Sequence, residues 1–143
     1  MSPILRGLGR ALASYLSQPN PRFHPITTIA PEALAAAIRP GDVLLVEGDT
    51  RISSAIKYLT QSTWSHAALY VGDRMGRSTD TGEPLDLIEA DIKAGVRAVP
   101  LSRYQNFHTR ICRAVGLTPE DMQSVIGYAI SRIGQQYDLR NVM

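Results

Sequence analysis

The sequence predicts an α+β domain in which a mainly antiparallel sheet packs against helices, preceded by an amphipathic helical arm. Four strand-length apolar segments follow one another between residues 65 and 115 with no helical pattern among them, which argues against the alternation of a parallel βαβ fold. The helical patterns on either side of this block open on recognisable start signals. A chain of 143 residues, 44% of them hydrophobic, is also the size of one domain able to bury its own core.

Ser2 is a candidate N-cap before Pro3 at the first helical position. Ile4, Leu8, Leu12 and Leu16, joined by Leu5 and Tyr15, fall on one helical face, opposite Arg6, Arg10 and Ser17. The pattern suits a helix packed on its own domain, the commoner use. It also suits a helix at residues 2–17 lying on an anionic membrane. Three prolines in the eight residues from Gln18 to Pro25 force extended backbone and mark a linker, with His24 an exposed linker residue. Pro31 to Ile38 reads as a short alanine-rich helix stopped by Pro40-Gly41, so residues 1–38 form arm and linker and residues 39–143 the domain.

Asp42 to Glu47 has the length and apolar content of a strand. Asp49 or Thr50 can cap a helix that carries Ile52, Ala55, Ile56 and Leu59 on one face. Ser65–Val71, Leu85–Asp91, Val96–Leu101 and Thr109–Val115 make the strand block, with a polar loop over residues 74–84. Thr118-Pro119-Glu120-Asp121 opens the last helix, whose buried stripe is Met122, Val125, Ile126, Ala129, Ile130 and Ile133, up to Gly134.

Composition excludes several function classes. Arg6, Arg10, Arg22 and Arg39 against Glu32 alone give residues 1–39 a net +3 and leave −1 for the rest, too small and local an excess for a nucleic-acid-binding face. The single cysteine, Cys112, forbids an internal disulfide framework, and the histidines at 24, 66 and 108 lack ligand spacing, so neither metal nor cofactor is expected. No apolar run approaches the ~20 residues of a spanning helix, and Arg6 and Arg10 interrupt what would be the centre of a secretory signal. The expected location is cytoplasmic, peripheral at the membrane if the arm binds there.

Four residues can carry chemistry. His66 stands at the mouth of an otherwise apolar strand, where an imidazole serves as general base or pairs with a thiol, or simply hydrogen-bonds a loop. Glu89, within Leu87-Ile88-Glu89-Ala90-Asp91, either faces solvent or is buried and needs a partner; paired with an imidazole it would hold the ring's orientation. Asp91, two residues on and on the same face, is its rival. Cys112 lies mid-strand between arginines, the setting of an inert buried thiol more often than of a reactive one.

Together, Arg39-Pro40-Gly41-Asp42-Val43-Leu44-Leu45, Trp64-Ser65-His66-Ala67-Ala68-Leu69-Tyr70-Val71-Gly72, Leu87-Ile88-Glu89-Ala90, Val96–Leu101 and Gly134-Gln135-Gln136-Tyr137-Asp138 resemble the circularly permuted papain-like cysteine hydrolases. These are the YiiX/YebB-like branch of the NlpC-type superfamily, distantly akin to the lecithin:retinol acyltransferases. The resemblance implies a permuted papain-like fold in which His66 is the general base and Glu89 its orienter. It also implies a nucleophilic cysteine on a helix after the Tyr-Asp segment. No such helix follows Asp138, so the chain is expected to be an incomplete piece of a longer enzyme, with its nucleophile beyond residue 143. Trp64, Ser65, Asp91 and Tyr137 are candidates for the substrate cleft.

The implied reaction is thiol-dependent hydrolysis or acyl transfer at an amide or ester bond of a peptide, a cell-wall amide or an acyl lipid. The alternative is a non-catalytic module that binds a membrane surface or a protein partner. An incomplete domain would also leave an apolar C-terminal face through which two copies could pair.

Overall fold

Five strands form one antiparallel sheet in the order β4-β3-β2-β1-β5: β1 (Val43–Val46), β2 (His66–Tyr70), β3 (Leu87–Asp91), β4 (Gly95–Val99) and β5 (Thr109–Cys112). Four helices accompany it: α1 (Pro3–Leu16), α2 (Pro31–Ala37), α3 (Arg51–Thr60) and α4 (Pro119–Ser131). This computed structural model describes residues 3–24, 26 and 29–136; Ser2 and Tyr137 lie outside them. The α+β class and the antiparallel strand block are as the sequence predicts. Strand ends are shorter than the apolar runs: Pro100, which has no N–H to give the ladder, ends β4 at Val99, and Leu101–Tyr104 turns into a 3-10 helix.

Local chemistry sets the helix boundaries. The Thr50 side chain accepts the Ser53 N–H at the start of α3. At α4, Thr118 and Asp121 form a reciprocal capping box, each side chain taking the other's backbone N–H.

Because side chains alternate along a strand, the register assigns each residue to one of two faces. Leu44, Val46, Ala68, Leu87 and Val99 share one face, where Leu34 and Ile38 of the α2 segment and Tyr104 of the 3-10 turn cover them. The domain core thus draws on residues before 39. Leu69, Val71, Ile88 and Val96 lie on the other face under Ile126, Met122, Ala129 and Ile130 of α4.

Asp42, 1% exposed, fastens the entrance to β1. Arg113 grips it with two bonds, Nε to Oδ1 at 2.8 Å and Nη2 to Oδ2 at 2.7 Å, and also reaches the Ala37 carbonyl. The Arg113 guanidinium, aided by the Arg39 N–H, holds the Asp42 carboxyl below its usual range against the opposing effect of burial.

The arm is tied to the start of α3. Asn20 N–H donates to the Asp49 carbonyl, Arg51 N–H to the Gln18 carbonyl, and the Asn20 amide to Ser54 Oγ. The Arg51 guanidinium lies 4.2 Å from the centre of the Tyr15 ring. Helix α1 does not pack its expected apolar stripe on the domain: Ala13 is buried, whereas Leu8 and Leu12 are exposed. No described helix is long and apolar enough to cross a membrane.

Candidate active site

His66 opens β2 opposite Val46, and Glu89 lies opposite Ala68, two residues further along the same strand. Both side chains therefore occupy the face that carries Leu44 and Leu87. His66 Nε2 stands 3.4 Å from Glu89 Oε2. Nε2 is buried and has no partner in hydrogen-bond geometry, so the contact is an off-axis electrostatic pair, short of a formed hydrogen bond. With Nε2 turned to Glu89, Nδ1 is the ring nitrogen directed away from it.

Glu89 is 4% exposed, and an unpaired carboxylate there would be costly. It is not unpaired. The Tyr104 hydroxyl donates to Oε1 at 2.7 Å, Arg97 Nη2 approaches Oε2 at 3.4 Å, and Arg103 Nε lies 3.7 Å from Oε1. Burial alone would raise its pKa, but the His66 and Tyr104 contacts and the charges of His66 and Arg97 outweigh it and lower the value from 4.5 to about 2. The same proximity, added to burial, pushes the Tyr104 hydroxyl well above its ordinary range, so it stays a donor.

Asp91 shares the face but has other duties. Its Oδ1 accepts the Lys93 and Ala94 N–H groups of the β3–β4 turn, and its Oδ2 lies 3.6 Å from Arg97 Nη2. Trp64 and Ser65 precede His66, yet their contacts lie elsewhere. The Trp64 ring sits 4.8 Å from that of His108, and Ser65 Oγ accepts the Gly48 N–H.

Cys112 is opposite Val43 on β5, which puts its side chain on the α4 face, across the sheet from His66. Its sulfur and the imidazole are separated by the sheet itself.

Sequence reasoning missed Tyr104, Arg97 and Arg103, which lie 15, 8 and 14 residues from Glu89 and meet it only through strand pairing and the 3-10 turn. It also missed a second pair: His108 Nδ1 stands 3.1 Å from Glu47 Oε2, and Lys57 Nζ 3.3 Å from Glu47 Oε1. His108 precedes Thr109, the partner of Val46, so alternation turns it toward the Cys112 face. That pair is more open than Glu89 and carries no buried charge.

A cavity of about 400 Å³ opens between α2 and the 3-10 turn, lined by Leu34, Asp86, Leu101 and Gln105 among others. It includes neither His66 nor Glu89, and its polar groups offer no base paired to an orienting partner. Among the described residues no cluster of histidine, cysteine and carboxylate side chains is arranged to hold a metal ion.

The polypeptide after α4 passes this end of the sheet. Val96 N–H donates to the Gln135 carbonyl at 2.8 Å and Gly134 N–H to the Val96 carbonyl at 2.9 Å, along the outer edge of β4. Extending the register by two residues brings His66 level with Asp91 and Gly95, the end beside which Gln135 runs.

A family profile described as permuted papain-like amidase enzyme, YaeF/YiiX, C92 family, matches residues 37–142. No curated protein matches the chain. With most of its length covered by that profile, the chain belongs to the permuted papain-like amidases of the YaeF/YiiX type.

Proposed function

We propose that this chain supplies the base and its orienting carboxylate for thiol-dependent cleavage of an amide bond, with His66 as base through Nδ1 and Glu89 as orienter. The observation that carries the reading is the buried Glu89 anion beside His66 Nε2, held ionised by Tyr104, Arg97 and Arg103. A fixed anion at Nε2 keeps the ring proton there, frees the Nδ1 lone pair, and stabilises the imidazolium once Nδ1 has taken a proton.

In the cleavage, a thiol gives its proton to Nδ1 and its sulfur attacks the carbonyl carbon. The C–N bond breaks as the leaving amine takes that proton from His66. Water then adds to the thioester, His66 again receiving a proton, and the acid and the free thiol are released. Cys112 lies across the sheet from His66 and is not assigned as the nucleophile. An acceptor other than water at the last step would make the reaction an acyl transfer, and an ester would follow the same path.

The position of Cys112 favours one second reading, a binding module that keeps the cleft without the chemistry. Turnover of amide substrates by the full-length protein as the cell makes it separates the two. His66→Ala is expected to lower kcat about 10²- to 10⁴-fold and Glu89→Gln less, while Cys112→Ser changes it under twofold. Loss of turnover in Cys112→Ser, or full turnover in His66→Ala, overturns the assignment. No turnover with any thiol present favours the binding module.

A further inference from the structure

We infer that α1 docks this protein on an anionic lipid surface. At 3.6 residues per turn, Ile4, Leu8, Leu12 and Tyr15 fall within an arc of about 80°. They are 81%, 61%, 44% and 51% exposed. The helix meets its own domain along a neighbouring stripe instead, where Ala13 is buried and Gly9 and Leu16 are half-buried. Small side chains at 9 and 13 allow that close approach and leave the large ones outside. The contact of Tyr15 with Arg51, and the backbone bonds of Gln18 and Asn20 to the start of α3, hold the helix against the body of the protein. The apolar stripe is thus presented at the surface.

Charge selects the occupant. The segment Pro3–Leu16 has no acidic residue and carries Arg6 and Arg10 on the side away from the stripe, and residues 1–39 have a net +3. A helix lying in the headgroup region buries such a stripe while its arginine stems reach back to the anionic surface. A second copy of the chain is the poorer occupant. Four side chains a side make a small patch for a stable dimer, and pairing through the stripe makes no use of the basic side of the helix. The docking is independent of the chemistry at His66.

The test is co-sedimentation of this chain with phosphatidylcholine vesicles, with and without phosphatidylglycerol, beside sedimentation equilibrium without lipid. The expected result is binding to the anionic vesicles at least about tenfold tighter than to the neutral ones, weakened by salt. Leu8→Ser combined with Leu12→Ser is expected to reduce binding at least about tenfold, and Arg10→Gln up to about fivefold. Both sites are exposed, so the double variant should keep the circular dichroism and Tm of the parent, which separates lost docking from lost folding. Equal binding of parent and double variant, or no binding by the parent, overturns the inference. A dimer that the double substitution dissolves also overturns it, by naming the second copy as the occupant.

Discussion

Glu89 shows how position governs a carboxylate. Its strand neighbours are apolar and its side chain is buried, yet a tyrosine hydroxyl, two guanidiniums and an imidazole converge on it and keep it ionised. Its folded pKa, about 2, lies below the ordinary 4.5, so ionised Glu89 contributes stability that is fully present above pH 4.5 and is lost as the pH falls through about 2. At 1.36 kcal/mol per unit this is on the order of 3 kcal/mol. Urea unfolding of Glu89→Gln against the parent is therefore expected to show a gap of that order at neutral pH that closes between about pH 4.5 and 2. A gap unchanged across that range would mean that the carboxylate's charge has no part in holding the pocket together. Its need for a partner was legible in the sequence as a carboxylate among apolar residues. Which residues answer it was not, because Tyr104 reaches it from a turn and Arg97 from the paired strand.

At the scale of elements, the caps and the succession of strands along the chain are local and were readable: Thr118 with Asp121, Asp49 or Thr50 before α3, and strands β2 to β5 with no α-helix among them. Contacts that close the fold join distant positions, as when Arg113 grips Asp42 across 71 residues, and no local spacing announces them. The segment after α4 is a further case. Gly95 has φ +76°, and a Cβ there would run into the Gln135 carbonyl oxygen, whereas Gly82 has φ +87° with nothing within 4 Å. Both positions penalise an L side chain, but only at Gly95 would the added atom also push the chain off the β4 edge. Gly82→Ala is expected to cost about 1 kcal/mol and Gly95→Ala about 2 kcal/mol or more, read from urea midpoints at constant m. Equal losses would show that Gln135 does not hold to Val96 in solution.

The whole molecule is organised by the two faces of its sheet. One carries His66 and Glu89 at its open end, beyond the core under α2 and the 3-10 turn, and the other carries Cys112 and packs under α4. The candidate pair was legible as a histidine at a strand mouth and a glutamate within an apolar strand, both also marked by resemblance. Cys112 already read as an inert mid-strand thiol, but the face it takes was not legible, since a shift of one residue in register moves a side chain to the opposite face and only the observed pairing fixes it. The same division separates the two histidine–glutamate pairs, which use opposite ring nitrogens: Nε2 of His66 toward Glu89 and Nδ1 of His108 toward Glu47. A nitrogen-15 spectrum of the imidazoles at a pH where they are neutral reads this directly, with His108 as the internal contrast. A proton on Nε2 and a bare Nδ1 are expected in His66, and the reverse in His108. A proton on Nδ1 of His66 would leave no lone pair for an incoming thiol and would contradict the proposed role of His66 as the base.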